Sequence, residues 1–209
     1  MITIHFAAVS QRFHGRQIFA PLDAELSSGK ITAITGRNGS GKSTFLKLAG
    51  HLLAPSAGKI TVTADGEELR GEELRQRLAM VTPDLRFYDR LTARENLDFL
   101  LGLRGCQITD EYYRELMARV ELDGEAIRHS YAGEFSTGMG QRLKIAALLA
   151  VGADIWLLDE PGANLDEAGQ AMIAREVRAA AERGVLVAIA TNVPGEEALA
   201  DEIISLGGH

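Results

Sequence analysis

A glycine-rich segment at residues 36–44 constrains this chain more than any other feature. It reads Gly-Arg-Asn-Gly-Ser-Gly-Lys-Ser-Thr and fits the pattern G-x-x-x-x-G-K-[ST]. The apolar run at residues 30–35 predicts a buried strand before it, and residues 43–52 have the spacing of an amphipathic helix after it. This strand–loop–helix setting is the one in which the pattern binds the phosphates of a nucleotide.

Each residue type in this loop has a chemical role. The glycines allow dihedrals that point successive backbone N–H groups into one concavity, and the helix N-terminus adds its positive end. Lys42 is expected to contact the β- and γ-phosphates of ATP, and the Ser43 hydroxyl is expected to bind Mg²⁺. The predicted nucleotide-binding residues are Gly36, Arg37, Asn38, Gly39, Ser40, Gly41, Lys42, Ser43 and Thr44. The alternative is an ordinary glycine-rich turn with an accidental lysine.

Two carboxylates follow a second apolar run, at residues 155–158, which predicts a buried strand. They are Asp159 and Glu160, with Pro161 next in the sequence. The carboxyl ends of parallel strands are where nucleotide chemistry gathers. Asp159 can hold Mg²⁺ through water, and Glu160 can polarise the water that attacks the γ-phosphate in line. The alternative is a solvated acidic pair that caps the next turn.

A third motif lies between these two, Phe135-Ser136-Thr137-Gly138-Met139-Gly140-Gln141-Arg142. It resembles the signature of ATP-binding cassette (ABC) proteins, usually Leu-Ser-Gly-Gly-Gln followed by x-Gln-Arg, with Thr137 and Met139 as departures. With the acidic pair at the expected distance, the resemblance covers essentially the whole chain and is to the nucleotide-binding subunit of ABC transporters.

The signature also has a physical logic. Ser136 and the N–H of Gly138 open a predicted helix and can form an anion site there. The alternative is that Ser136 is a helix N-cap and nothing more. The resemblance implies that this site closes on the γ-phosphate held by a second copy, so that two ATP molecules are sandwiched in a head-to-tail homodimer.

The resemblance implies roles for further residues. Phe13 matches the aromatic residue that stacks on adenine, although an isolated aromatic would otherwise be interpreted as core. The segment Asn164-Leu165-Asp166 resembles the loop that follows the acidic pair and reports on the opposite site across the dimer, which makes Asp166 a predicted nucleotide-binding residue. The helical pattern at about residues 85–140 looks like the family's helical subdomain, whose groove receives a short helix from an integral membrane permease subunit.

Two positions depart from the family pattern. Asp84 stands where a glutamine usually touches Mg²⁺ and the attacking water, and its charge adds repulsion near the γ-phosphate. Asn192 stands where a histidine usually donates to the γ-phosphate; it keeps an amide donor but cannot become cationic. Slow hydrolysis is expected, and a weakly hydrolysing regulatory cassette is the alternative. The predicted catalytic residues are Glu160, Lys42, Asn192 and Asp84, and the predicted metal ligands are Ser43, Asp159 and Asp84.

The whole pattern predicts an α/β fold in one domain over residues 1–209. Strand-like runs at residues 2–9 and 17–25 precede the phosphate loop, and helices and apolar strands alternate beyond residue 136. We therefore expect a P-loop nucleoside triphosphatase core with a mostly parallel sheet, an N-terminal antiparallel β portion and an inserted helical subdomain.

Composition and charge restrict the binding partners and the cellular compartment of the chain. The net charge of −7 argues against a nucleic-acid partner, which would favour a basic face. The single cysteine, Cys106, cannot form an internal disulfide and is expected to be a small buried residue at a helix end. The sequence shows neither a secretory signal nor an apolar stretch long enough to span a bilayer. We expect a cytoplasmic protein, held at the inner face of the cell membrane by its membrane partner.

The leading functional hypothesis is an ATP-binding and ATP-hydrolysing subunit that couples dimerisation to transport by a separate membrane subunit. The short chain and Asn192 resemble the minimal cassettes of the haem-exporter type used in cytochrome c maturation. A soluble ABC-type ATPase of translation, DNA repair or iron–sulfur assembly is the first alternative; translation-type members usually carry two cassettes in one chain and repair-type members a long coiled coil. A non-ABC kinase is the second, and the signature argues against it.

Overall fold

The computed structural model describes residues 1–207 and builds them around two β-sheets. The strands are β1 (Ile2–Phe13), β2 (Arg16–Ser27), β3 (Ile31–Thr35), β4 (Ala57–Ala64), β5 (Glu67–Glu68), β6 (Leu78–Val81), β7 (Ile155–Asp159), β8 (Leu186–Ala190) and β9 (Glu202–Ser205). The helices are α1 (Lys42–Ala49), α2 (Gly71–Arg77), α3 (Ala93–Gly102), α4 (Asp110–Arg119), α5 (Glu125–His129), α6 (Thr137–Val151), α7 (Glu167–Glu182) and α8 (Pro194–Glu197). The last two residues of the predicted domain, 208 and 209, lie outside the described part.

The two sheets differ in strand direction. The N-terminal sheet has the order β2-β1-β4-β5 and is antiparallel throughout. The second sheet has the order β6-β7-β8-β3-β9, and each of its neighbouring strand pairs is parallel. The predicted combination of a parallel sheet and an N-terminal antiparallel portion is confirmed.

The parallel sheet carries a separate hydrophobic core on each face, because side chains alternate along a strand. In β7, Ile155 and Leu157 pack with the antiparallel sheet and α1, whereas Trp156 and Leu158 pack with α6, α7 and the helical region. The five residues of β7 are all buried, which explains the continuous apolar run in the sequence. The arrangement holds the end of β7, with Asp159, beside the start of α1.

An aromatic stack joins the antiparallel sheet to α1. Phe6 in β1 and Phe45 in α1 are fully buried, and their rings lie parallel with centroids 4.4 Å apart. Such a pair contributes about 0.5–1.5 kcal/mol beyond the area that it buries. The helix that follows the phosphate loop is therefore fixed on both sides, by the antiparallel sheet and by the parallel one.

The region between β6 and α6 is helical, as the sequence predicts. It contains α3, α4, α5 and a short 3-10 turn, and the described residues 85–140 contain no strand. Thr92 begins α3 with a reciprocal capping box to Glu95, and Thr109 caps α4. Helices α3 and α4 pack on α6, which ties this region to the parallel core.

Three features differ from the sequence prediction. Cys106 is exposed in the loop between α3 and α4, directly after Gly105, which has a positive φ. Helix α2 was not predicted, because its only buried residue is Leu74 and one apolar side chain gives no periodicity. Helix α8 spans only four residues and gives no periodic pattern either.

No helix within residues 1–207 has both the length and the apolar character needed to cross a bilayer.

Candidate active site

The phosphate loop links β3 to α1 and depends on glycine at its first position. Gly36 has a φ of +146°, and a Cβ added there would lie 2.3 Å from the carbonyl oxygen of Leu206. No other residue fits such a contact without moving the backbone. At the far end of the loop, Gly41 begins α1 without a side-chain cap, so the N–H groups of the first helical turn face the concavity of the loop.

Lys42 lies within this loop. It is buried, and its Nζ donates hydrogen bonds to the carbonyl oxygens of Gly36, at 2.9 Å, and of Arg37, at 3.4 Å. A cation buried among backbone carbonyls is held where phosphate oxygens can replace those acceptors. The predicted position of Lys42 in the phosphate-binding loop therefore agrees with its surroundings.

Asp159 ends β7 next to the first turn of α1. Burial raises the pKa of Asp159, a hydrogen bond from the Ser43 hydroxyl lowers it, and the neighbouring charge of Glu160 raises it again. Two of the three predicted metal ligands, Ser43 and Asp159, are thus close to each other. A cation between them would relieve the unfavourable burial of the Asp159 carboxylate.

The donor set suits Mg²⁺ held together with a nucleotide. The hydroxyl of Ser43 and the carboxylate of Asp159 are oxygen ligands, which Mg²⁺ prefers. Within residues 1–207, no cluster of three or more His, Cys, Asp or Glu side chains could hold a metal by itself. Mg²⁺ is commonly bound by one or two protein groups plus water and substrate phosphates, and these residues fit that arrangement.

Glu160 lies where two clefts meet. The phosphate cleft, about 410 Å³, is lined by Phe13, Asn38, Lys42, Ser43 and Glu160 together with their loop neighbours. The signature cleft, about 480 Å³, is lined by Phe135, Ser136, Gln141, Lys144 and again Glu160, with residues of the loop after β6.

The backbone at Glu160 is strained. Its φ is +51°, a conformation that costs a non-glycine residue on the order of 1–3 kcal/mol. The N–H of Glu160 donates to the carbonyl oxygen of Ala190 at 2.9 Å, which ties this strained residue to the end of β8. Strain of this kind is concentrated at functional positions, and here it directs a carboxylate towards both clefts.

Asn192 and Phe13 are both brought to the phosphate loop. The Nδ2 of Asn192 donates to the Oδ1 of Asn38 at 2.6 Å, so this amide lies on the loop itself. Phe13 ends β1 and is 39% exposed at the mouth of the phosphate cleft. Its exposure removes the alternative that Phe13 is a core residue.

Ser136 lies in the signature cleft and not in the phosphate cleft of the same chain. It is the N-cap of α6, and its Oγ accepts a hydrogen bond from the N–H of Met139 at 3.2 Å. The capping role is therefore present. It leaves the Ser136 hydroxyl proton free to bond an oxygen of another molecule, because the residue is exposed. Gly138 lies in the first turn of the same helix.

The structure does not bring Asp84 or Asp166 to the phosphate cleft. Asp84 is exposed in the loop after β6, and among the described residues it lines neither cleft. Asp166 caps α7, accepting from the N–H of Gly169 at 2.9 Å, and forms an ion pair with Arg142 at 3.1 Å. The hydrogen bond from Gly169 and the charge of Arg142 lower the pKa of Asp166. The roles predicted for both residues remain predictions.

Sequence reasoning missed two buried charged residues beside the clefts. Lys144 lines the signature cleft, and its Nζ donates to the carbonyl oxygens of Thr82, at 3.0 Å, and Pro83, at 3.1 Å. Burial lowers the pKa of Lys144, the charge of Arg86 lowers it further, and that of Asp84 raises it. A lysine inside the apolar run Leu143-Lys144-Ile145-Ala146 was the signal that could have revealed it. The second residue is Glu196 in α8, which no local pattern marks.

Comparison with known proteins agrees with this geometry. The family model described as "ABC transporter" matches residues 19–163. The "Cytochrome c biogenesis ATP-binding export protein CcmA" of Bradyrhizobium diazoefficiens is 39% identical over 183 residues, which cover 86% of each chain. The protein of the same name from Nitrobacter winogradskyi is 37% identical over 180 residues, again with 86% of each chain covered.

A solved structure shows the same architecture. The ATP-binding cassette MJ0796, in a dimeric post-hydrolysis state bound to ADP and Pi, matches with a TM-score of 0.81 and 25% identity, covering 97% of this chain and 94% of that one. The alternative of a kinase on the same phosphate loop is thereby excluded. The fold, the order of the motifs and the family match agree, and the chain belongs to the ABC transporter family as an ATP-binding, ATP-hydrolysing subunit.

Proposed function

We propose that this chain supplies the energy of ATP hydrolysis for export in cytochrome c biogenesis, through a separate membrane subunit. The support for this role is similarity at 33–39% identity to eight relatives named as ATP-binding export proteins of cytochrome c biogenesis. The geometric support for hydrolysis is that Glu160 lines the same cleft as the phosphate-loop residues Lys42 and Ser43.

The residues of the phosphate cleft divide the chemistry among them. Lys42 exchanges its bonds to the loop carbonyls for bonds to the β- and γ-phosphates when ATP binds. Mg²⁺, held by Ser43 and Asp159, would neutralise charge that develops on the phosphates. Glu160 accepts a hydrogen bond from the attacking water and aligns it with the γ-phosphate. Asn192, already bonded to the loop, donates its amide to a γ-phosphate oxygen.

The active site needs a second copy of the chain. Ser136 lines the signature cleft and does not line the phosphate cleft of its own chain. In a head-to-tail homodimer, Ser136 and Gly138 of one copy cover the γ-phosphate bound by the other, while Asp166 and its loop lie at the contact. Hydrolysis then follows dimerisation and allows the two copies to separate.

The helical region is the contact for the membrane subunit. An aromatic pair, Tyr88 and Phe99, is 57% and 42% exposed there, with the ring centroids 5.0 Å apart. Exposed aromatic side chains in such a pair suit the apolar face of a short helix. The chain would act at the cytoplasmic face of the membrane, where basic loops of a permease complement its net charge of −7.

Hydrolysis and dimerisation are tested together with Glu160→Gln. This variant should lose turnover but still bind ATP, because the amide keeps the shape of the side chain and loses its basicity. Sedimentation should show that the variant becomes a dimer when ATP is saturating, and that Ser136→Arg added to it restores the monomer. Unchanged turnover in Glu160→Gln would remove Glu160 from its proposed role.

The cellular role is tested by deleting the gene and measuring covalently haem-bound c-type cytochromes in membranes. The wild-type gene should restore them, and genes carrying Glu160→Gln or Lys42→Ala should not. Normal cytochrome levels in the deletion strain, with ATPase activity intact in the purified protein, would reject the export role and leave the ATPase assignment standing. Failure to recover a polytopic membrane protein with the tagged chain would instead favour the soluble ATPase.

A further inference from the structure

Glu196 is a buried carboxyl group close to the catalytic loop. It belongs to α8, which begins two residues after Asn192, and its side chain is shielded from solvent. Its Oε1 accepts a hydrogen bond from the N–H of Gly162 at 2.7 Å, and this bond is itself buried. The Thr191 hydroxyl lies near enough to lower the pKa of the carboxyl, yet Oε2 has no hydrogen-bond partner of good geometry.

The contact between Glu196 and Gly162 is so close that a side chain at position 162 would force the carboxylate to move. A Cβ added at Gly162 would lie 2.4 Å from Oε1 of Glu196, a distance that real Cβ atoms do not adopt. Because the φ of Gly162 is not positive, a substitution there would act by displacing the Glu196 carboxylate and not through its own backbone dihedrals.

Gly162 belongs to a segment that we call the post-acidic loop, residues 161–166, which directly follows Glu160. Helix α6 holds the loop from one side: Gln141 donates to the carbonyl oxygen of Pro161 at 2.7 Å, and Arg142 pairs with Asp166. Glu196 holds it from the other side, through the segment that carries Asn192. The loop thus lies between the signature helix and the Asn192 segment.

The loop needs such support because its backbone is strained. Glu160 and Asn164 both have positive φ values, +51° and +63°. Non-glycine residues keep such dihedrals only where surrounding contacts enforce them. The hydrogen bonds at Pro161 and Gly162 are buried contacts close to both strained residues, so they are placed to enforce this geometry.

We propose that Glu196 is a positioning residue that fixes the post-acidic loop against the Asn192 segment. In this position it aligns Glu160 with the γ-phosphate of its own copy and presents residues 164–166 to the other copy. The proposal rests on the proposed ATP hydrolysis for its kinetic readout, but the loop contact itself is independent of it.

The burial of the Glu196 carboxyl group indicates that this residue has a functional role. Burial raises the pKa of Glu196; the nearby Thr191 hydroxyl and the hydrogen bond from the Gly162 N–H lower it, and the charge of Glu160 raises it again. A buried carboxyl with an unpartnered oxygen is costly for folding alone, since an apolar side chain would fill the same space without that cost.

The kinetic test compares Glu196→Ala, Glu196→Gln and a matched control, Glu197→Ala, which changes an exposed residue of the same helix. Glu196→Ala should lower kcat on the order of 100-fold, as expected for a misplaced catalytic group, with KM for ATP changed about twofold or less. Glu196→Gln should recover most of the activity, because its amide oxygen can still accept from Gly162. Equal kcat values in Glu196→Ala and Glu197→Ala would overturn the proposal.

A double-mutant cycle distinguishes loss of the contact between Glu196 and Gly162 from simple unfolding of the protein. Gly162→Ala forces its new Cβ against the carboxylate, so it should also lower kcat, and adding Glu196→Ala should cost little more because the clash is gone. Additive losses in the double variant would show that Glu196 does not act through Gly162.

Hydrogen exchange separates this proposal from the proposed function. The Gly162 amide should exchange slowly in the wild type and in Glu196→Gln, and rapidly in Glu196→Ala. Fast exchange in the wild type would overturn the positioning role, whatever the ATPase activity. Absence of hydrolysis in the wild-type protein with the expected exchange pattern would instead reject the proposed function.

Discussion

The phosphate cleft and the signature cleft differ in how much of each is assembled within one chain. In the phosphate cleft, Lys42 donates to the carbonyl oxygen of Gly36 and Asn192 donates to Asn38, all within one chain. In the signature cleft, Ser136 is exposed and its only described polar contact is the cap of its own helix. Folding of one chain brings the groups of the phosphate cleft together, whereas under the proposed function Ser136 meets its phosphate only when a second copy binds. Nucleotide binding and hydrolysis should therefore be separable by mutation.

The largest effect should come from Lys42→Ala, which disrupts the phosphate cleft. Removing a buried cation from the phosphate loop should lower kcat on the order of 100–1,000-fold and weaken ATP binding as well. Lys59→Ala is the control, because it removes a lysine from β4 that lines neither cleft. Fluorescent-nucleotide titration and phosphate release measure the two effects, and equal losses in both variants would contradict the role of Lys42.

Ser136→Asp should separate ATP binding, which uses the phosphate cleft, from dimerisation, which uses the signature cleft. Aspartate caps a helix as well as serine does, so α6 should keep its stability, while the added carboxylate repels the γ-phosphate of the other copy. We expect ATP affinity of the monomer within about twofold of wild type, no ATP-driven dimer in sedimentation, and little turnover. A stable dimer in this variant, with its melting temperature unchanged, would show that Ser136 does not meet a phosphate.

A smaller effect is expected for Asn192→Ala. Loss of one amide donor to a charged oxygen costs about 1.5–3 kcal/mol, which corresponds to a decrease in kcat of roughly 10–150-fold. Binding of ATP should change little if the donor acts mainly in the transition state. If kcat stays unchanged while the affinity for ATP falls, Asn192 serves the loop through Asn38 and not the reaction.

The smallest effect should follow from Phe13→Ala at the rim of the phosphate cleft. An aromatic stack on adenine contributes about 0.5–1.5 kcal/mol, so the affinity for ATP should fall roughly 2- to 12-fold. Because Phe13 is exposed, the free energy of unfolding should change by about 0.5 kcal/mol or less. Isothermal titration with ATP and with inorganic triphosphate tests the stack: the variant should lose affinity only for the ligand with a base.

The sequence predicted the organised region well because its signals are local. The phosphate loop and the acidic pair each follow an apolar strand directly, so the motif and its structural setting are read from neighbouring residues. The position of Asp159 beside Ser43 then follows from the order of strands in a parallel sheet.

The missed residues depend on contacts between distant parts of the chain. Lys144 bonds carbonyl groups 61 and 62 residues away, and Glu196 bonds an N–H group 34 residues away. Nothing within a few residues of either side chain indicates those partners. For Asp84, in contrast, the sequence suggests a role that depends on the conformation of its loop. The resemblance to the family predicts a role at Mg²⁺, whereas in this structure Lys144 bonds the start of the loop and Asp84 is exposed.

The alternation of side chains along β7 has a consequence for folding fidelity. A slip of this strand by one residue would send Trp156 and Leu158 into the core that Ile155 and Leu157 occupy, and it would also move Asp159 away from Ser43. Misaligned chains would thus lose the packing of both cores and the approach of Asp159 to Ser43 together. ATPase activity in variants of β7 should therefore serve as a sensitive reporter of strand register.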